Sequence, residues 1–383
     1  MSDARGDIES AMCALLRGEC IAPRRLESCA RADRFHEMAV FHGVAPLLST
    51  RLRQSSPQDA ALGARLFPPR ALADATAVEL LRAAELERVL ECLARAGIEA
   101  LVLKGAALAH SIYPSPALRP RADTDLLIGA RHRESAHRVL TDLGYERFTA
   151  VSGRLISYQS GYGHRDRFGV DHILDLHWRI SNTQAFSRAL EFEALAARSV
   201  PVPALGAHAS TLAPADALLL ACMHRAHHLH HPYSAGGRPM RGVDRLIWIY
   251  DIHLLLEAMT GEELRAFARL GARCRMAAVC ADAVTRAMRC FATRVPDTLL
   301  DTLRRPAPGD RSERHLRRGR FRHLANELRS LPRLRDRIAL LAEHLFPPAD
   351  YMLAKYSVGN RAWLPLLYVQ RGLHGAWKRL SSP

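Results

Sequence analysis

Lysine is nearly missing from this 383-residue chain: of 54 basic residues only Lys104, Lys355 and Lys378 are lysines, so the net charge of +15 is carried by arginine. Arginine with abundant alanine is also what GC-rich coding produces, and the excess points only weakly toward polyanions, although an electropositive surface does concentrate nucleotides or nucleic acid. Long apolar runs are missing too. The best candidate, Ala217 to Met223, is far too short to span a bilayer, and MSDARGDIES lacks the basic-then-apolar pattern of a signal peptide. The expectation is a soluble, cytoplasmic protein with no membrane partner. None of the eight cysteines sits in a CxxC pair, which reads as reduced filler rather than a disulfide or zinc framework. No HExxH run and no His-Asp dipeptide occur, which removes the signatures of zinc proteases and HD-type phosphohydrolases. Internal repeats and low-complexity tracts are absent as well.

The remaining composition, 48% apolar and 24% charged, is ordinary globular usage, and the length exceeds one ordinary core of about 100 to 200 residues. Hydrophobic periodicity predicts a helical lead-in over residues 7 to 97, ending in a long helix that stops at Gly97. At Ile98 the texture changes. IEALVLK reads as a buried strand, GAALAHSIY as a helix, TDLLIG as a strand and RESAHRVLTDLGY as an amphipathic helix ended by Gly144. ERFTAV, RLISYQ and VDHILDLHW are further strand candidates. Beyond Pro214 the patterns are helical to the end, with a basic stretch from Arg304 to His323 that reads as a solvated helix or an acceptor-binding surface. The expected class is α+β: a helical region 1–97, a mixed-sheet core 98–213 and a helical domain 214–383.

Chemistry concentrates between residues 101 and 129. Asp123 and Asp125 lie two apart in a strand-like run, so alternation sends both carboxylates to one side. Carboxylates held that close repel unless a hard divalent ion sits between them. In VDHILDLHWRI, Asp175 shares a face with Ile173 and His177, while Leu174, Leu176 and Trp178 take the other. A carboxylate inside an apolar strand needs a metal, an arginine or hydrogen bonds. Trp178 reads as core in preference to a base-stacking platform.

Several other side chains keep two readings. Lys104 either places a point charge on a phosphate or reaches solvent from a strand end. Arg119 and Arg121 either steady a triphosphate or pair with carboxylates. His224, His227, His228 and His231 fall at i, i+3, i+4 and i+7 of a predicted helix, where they bind a metal, line a nucleotide pocket or pack.

Taken in order, Lys104-Gly105, Tyr113-Pro114, Arg119, Asp123-Thr124-Asp125 and Asp175-Leu176-His177-Trp178 resemble the nucleotidyltransferase superfamily of the DNA polymerase β-type minimal fold, in a largely uncharacterised bacterial branch. The resemblance continues through His224, His227 and His228, RLIWIYDIHLLL and LFPPADYM, and covers most of residues 98 to 372. One departure is Gly105-Ala106, where the wider superfamily has a glycine followed by glycine or serine. The resemblance implies transfer of a nucleoside monophosphate from an NTP, with Mg²⁺ (or Mn²⁺) held by Asp123, Asp125 and Asp175. It further implies nucleotide contacts from Lys104, Gly105, Arg119, Arg121, His177, His224 and His228. The acceptor, whether small molecule, peptide, protein or RNA, does not follow. The rival expectation is a non-catalytic nucleotide- or RNA-binding or toxin-like regulatory protein of the same fold, for which Ala106 is the best support. A third is a helical scaffold with no nucleotide affinity.

Overall fold

Short apolar runs of β-branched and leucine residues, bounded by turn residues, become the strands at the centre of the molecule. The structure, a computed structural model, describes residues 2–19, 29–229, 233–235, 238–240, 243–305, 309–310, 312–316 and 320–380. Seven strands form one mixed sheet: β1 (Ala100–Leu103), β2 (Thr124–Ile128), β3 (Glu146–Arg147), β4 (Gln159–Arg165), β5 (Asp171–His177), β6 (Val200–Pro201) and β7 (Ser210–Thr211). Their order across the sheet is β3-β4-β5-β2-β1-β7-β6. β1 and β2 are antiparallel, β2 and β5 parallel, and β4 runs antiparallel to β5. The central strands β1 and β2 are wholly buried, as continuous apolar runs require.

Helices α1 (Ser2–Leu16), α2 (Cys29–His42), α3 (Ala45–Gln54), α4 (Pro57–Leu66) and α5 (Pro69–Arg95) precede the sheet. Helices α6 (Lys104–Ser111), α7 (Arg133–Asp142), α8 (Gln184–Ser187) and α9 (Phe192–Ala196) lie between strands. After β7 come α10 (Pro214–His228), a small hairpin of β8 (Tyr233–Ala235) and β9 (Arg238–Met240), then α11 (Leu246–Ala258), α12 (Gly261–Arg273), α13 (Ala277–Phe291) and α14 (Asp297–Arg304). The chain continues through α15 (Arg320–Ser330), α16 (Leu334–Leu345), α17 (Ala349–Tyr356) and α18 (Leu364–Leu380). Gly97 and Gly144 take φ of 70° and 87°, the left-handed conformation that closes α5 and α7 where the sequence predicted stops.

Strand alternation divides the interior. Val102, Leu126, Ile128, Leu174 and Leu176 pack against Leu86, Val89, Leu90 and Leu93 of α5 and Ala136 and Leu140 of α7. Leu101, Leu103 and Leu127 point the other way, into a core shared by the N-terminal helices (Met12, Phe35, Leu48) and by α10, α11 and α13 (Leu219, Ile249, Val284). Each fully buried large apolar side chain contributes roughly 1.5–3 kcal/mol. Asp125 and Asp175 stand on this second face, beside the core that joins helices from before and after the sheet.

Three differences from expectation have simple causes. ERFTAV yields only the two-residue β3, and the strand expected at RLISYQ begins instead at Gln159 and runs to Arg165, where it finds β5 as partner. The helix at Asp216 ends at His228 and the β8–β9 hairpin follows, so strands do not stop at Pro214. His231 lies outside the described residues. Trp178 is half-buried, with the Arg133 guanidinium 4.0 Å above its ring, and does not join the core.

Candidate functional site

Parallel pairing of β2 with β5 puts Asp125 directly beside Asp175 in register, on the same face of the sheet. His177, two residues along β5, shares that face, and its Nε2 lies 2.8 Å from Asp125 Oδ1. Lys104 directly follows β1 and starts α6 with φ of 51°, a left-handed conformation uncommon for a non-glycine residue, and its Nζ reaches the same oxygen at 2.6 Å. Asp123 precedes the first residue of β2 and opens to solvent at the mouth of the cleft.

The two register-paired carboxylates are shifted in opposite directions. Burial alone raises Asp125, but the Lys104 ammonium and the His177 hydrogen bond outweigh it and hold its carboxyl well below the usual range. An ionised Asp125 can only accept, so His177 donates through Nε2–H. Its Nδ1 is buried without a hydrogen-bond partner. Asp175 is pushed up to about 6 by burial, with the charges of Asp125 and Asp123 adding to the rise. Asp123 is also raised, by desolvation against its crowded flanks and by Asp125. Lys104 stays charged: burial works against its ammonium, but Asp125 more than compensates.

Helix α10 faces the carboxylates across the cleft. One chamber, about 270 Å³, has Asp125, Asp175, His177 and Asn182 on one side and Met223, His224, His227 and His228 on the other. A second, about 450 Å³, runs over Lys104, Gly105 and Arg119 toward Trp248 of α11, and the two share Lys104, Asp123, Asp125, Leu220, His224 and His228. His224 and His228 approach Nε2 to Nε2 at 3.0 Å, and His228 stacks on Trp248 with centroids 4.9 Å apart. Burial, the neighbouring His228 and the Lys104 charge hold His224 well below its usual range, so it works as a neutral hydrogen-bonding group and not as a cation. His227 instead bonds Thr183 Oγ1 at 2.8 Å through Nδ1.

For the two arginines the carboxylate-pairing alternative is what the structure holds. Arg119 donates Nε to Asp251 Oδ1 at 2.8 Å and Nη2 to Asp251 Oδ2 at 2.7 Å, while Tyr113 donates its hydroxyl to the same carboxylate at 2.7 Å. Arg121 pairs with Glu79 of α5 at 3.0 Å and donates to Thr124 Oγ1. Both arginines also line the larger chamber, and both brace the segment that delivers Asp123 and Asp125. Gly105 has a corresponding reason. A Cβ there would stand 3.1 Å from Arg119 Nη1, so the glycine makes room for the arginine on the first turn of α6.

Sequence reasoning missed the amides. Gln159, opposite His177 on β4, donates Nε2 to Asp175 Oδ2 at 2.7 Å, and Asn182 donates to Gln159 Oε1 at 2.8 Å while accepting the Tyr158 N–H at 2.7 Å. This chain orients Asp175. Its sequence signal was a glutamine at the edge of a strand candidate, which is too common to single out.

Ligand atoms of Asp125, Asp175 and His177 lie within 4.8 Å of one another, the one group of this kind among the described residues. That spacing is close to the width of a single coordination shell, and two ionisable oxygens with a neighbouring carboxylate suit a hard divalent cation. A search of the curated proteins returns no match. Among solved structures, the chain resembles an antigenic nucleotidyltransferase-like protein from Paracoccidioides brasiliensis at 13% identity and a TM-score of 0.32, over 57% of this chain and 95% of that one. The model of a family described as uncharacterised nucleotidyltransferase matches residues 28–292, which include the β1–α6 turn, both aspartate strands and α10. The chain therefore belongs to this nucleotidyltransferase family.

Proposed function

We propose that the protein transfers a nucleoside monophosphate from an NTP to an acceptor hydroxyl or phosphate, releasing pyrophosphate, with Mg²⁺ or Mn²⁺ as cofactor. The observation that carries this reading is the register pairing of Asp125 with Asp175 on neighbouring parallel strands at the junction of two chambers. A transferase needs two substrates to meet at one place, and the chambers meet at Asp123 and Asp125.

Asp125 and Asp175 would hold the cation, with Asp123 completing the carboxylate set from the cleft mouth. Bound there, a divalent ion supplies charge neutralisation for the phosphates and for the oxygen that develops during in-line displacement. Asp175, raised to about 6 and oriented by Gln159, is suited to accept the proton of the attacking hydroxyl at its free oxygen. Lys104 keeps Asp125 ionised and lies within reach of the phosphates on the floor of the larger chamber. The first turn of α6 at Gly105 faces that chamber, where unbonded N–H groups favour an anion. His177 fixes Asp125. His224 and His228 offer neutral hydrogen bonds from the roof. Arg119 and Arg121 act through position, by fixing the chain on either side of Pro120.

The test is isotopic. Protein is incubated with each NTP labelled at the α- or the γ-phosphorus, with Mg²⁺ and fractionated small-molecule, peptide and RNA pools. The proposal expects one pool to acquire α-label with stoichiometric pyrophosphate. Transfer of γ-label alone would identify a kinase and overturn it, and transfer of neither would favour the binding-protein rival.

A further inference from the structure

The large apolar side chains that this fold leaves in water are unevenly distributed. Fourteen are exposed among the described residues, and nine of them fall between Leu334 and Leu373. On α16, Leu334, Ile338, Leu341 and Leu345 recur at i, i+4, i+7 and i+11, one narrow stripe of a helix, and Phe346 extends it. On and just before α18, Trp363, Leu366, Val369 and Leu373 form a second stripe. Each helix also has an inward side, marked by Leu340 and Leu367. The stripes are tied together where α18 meets the end of α16: Phe346 and Tyr368 rings lie 5.7 Å apart, and Tyr368 donates to the Pro347 carbonyl at 2.7 Å. A soluble monomer rarely leaves so many large apolar side chains exposed in one segment without a use for them.

Charge shows what the surface meets. The segment 333–373 carries six cations and three acids, and each acid is engaged within the fold. Asp336 is buried against Arg154 at 2.8 Å. Glu343 accepts the backbone N–H groups of Arg154, Leu155 and Ile156 at 2.8–3.0 Å. Asp350 pairs with Arg361 at 3.0 Å. Arg333 and Arg335 remain exposed beside the α16 stripe, and Lys355 is exposed on α17. A second copy of such a face would meet like charge. The apolar side chains also stand clear: Leu334 and Leu373 are 69% and 67% exposed, so they project and do not line a groove that would seat another protein's anchor residues.

We propose that α16 and α18 form a peripheral docking face for an anionic lipid surface, with the leucine, phenylalanine and tryptophan side chains entering the headgroup boundary and the cations lying along the phosphates. No helix among the described residues is long and apolar enough to cross a membrane, and none needs to. The face is separate from the carboxylate cleft, so attachment leaves the cleft free for its substrates.

The full-length protein is tested by flotation with vesicles of phosphatidylcholine alone or with about one-third phosphatidylglycerol. The expected result is binding to the anionic vesicles only, weakened by added salt. It falls at least about tenfold both in Ile338→Glu/Leu366→Glu and in Arg333→Glu/Arg335→Glu. These positions are exposed, and an unchanged thermal melt confirms folding. Failure to float with anionic vesicles, flotation undiminished in both variants, or a wild-type dimer that Ile338→Glu/Leu366→Glu converts to monomer would each overturn the proposal.

Discussion

Asp125 and Asp175 are the same residue type in register on adjacent strands and burial raises both, yet they end on opposite sides of the ordinary value because only Asp125 is hydrogen-bonded to Lys104 and His177. Lys104 and His177 both converge on Asp125 Oδ1, while Asp175 receives a neutral amide from Gln159. The difference is measurable without substrate. Replacing Asp125 by Asn leaves the Lys104 ammonium enclosed without its counter-charge, and the protein should lose about 3 kcal/mol of stability in urea denaturation at neutral pH. For Asp175 the sign reverses. Its folded-state pKa of about 6 exceeds the ordinary 3.8, so the contribution of this one group is fully present below about pH 4 and is lost as pH rises through 6. Asp175→Asn should match the wild type at pH 4 and exceed it by roughly 2–3 kcal/mol at pH 8. Equal destabilisation by both substitutions would show that the two carboxylates do not differ as described.

At the scale of elements, carboxylates act as clamps between segments distant in sequence. Asp251 of α11 holds Arg119 and Tyr113 beside the β1–β2 connection, 132 and 138 residues away. Asp251→Asn should cost about 3–5 kcal/mol, since it strands a buried guanidinium, and a loss under about 1 kcal/mol would deny the clamp. A second clamp titrates. Glu327 of α15 accepts the Gln184 N–H at 2.7 Å through Oε2, its Oε1 is buried without a partner, and burial raises it to about 7. The raised value again means stability present below the ordinary 4.5 and lost as pH climbs through 7. Glu327→Gln keeps the acceptor and removes the charge, so the variant should gain roughly 3 kcal/mol over the wild type at pH 8.5 and nothing at pH 4. Parallel stability curves from pH 4 to 8.5 would refute this.

Elements are also where the legibility of the sequence had its limits. ALVL and TDLLI showed the central strands as short apolar runs bounded by turn residues, and the period of two in DHILDLH showed which face bears Asp175. The i, i+4 spacing of His224 and His228 placed them on one face of α10 in the same way. Gln159 and Asn182 left no such mark, because an amide gains its role only when β4 pairs with β5. The choice between phosphate and carboxylate for Arg119 and Arg121 needed partners on α11 and α5 that no local pattern names. That Gly105 also makes room for Arg119 turned on the same missing contact. The β8–β9 hairpin escaped notice because HHLHH continues a helical spacing past the helix that bears it.

Across the whole molecule, helices that precede the sheet and helices that follow it share one core on the sheet face that bears the carboxylates, and α10 is part of that core. The cleft is therefore built by distant segments, and ligand bound in it should stabilise the entire fold. At 100 times its Kd, a ligand that binds only the folded state adds about 2.7 kcal/mol. The most direct test of the account is a thermal-shift titration with the four nucleoside triphosphates, with and without Mg²⁺, on the wild type, Asp123→Asn and Asp125→Asn/Asp175→Asn. The predicted result is a saturable rise in melting temperature for at least one triphosphate that requires Mg²⁺, shrinks in Asp123→Asn and disappears in the double variant. A Mg²⁺-independent rise, or one undiminished when both strand aspartates are neutralised, would contradict a metal-assisted nucleotide site at Asp125 and Asp175.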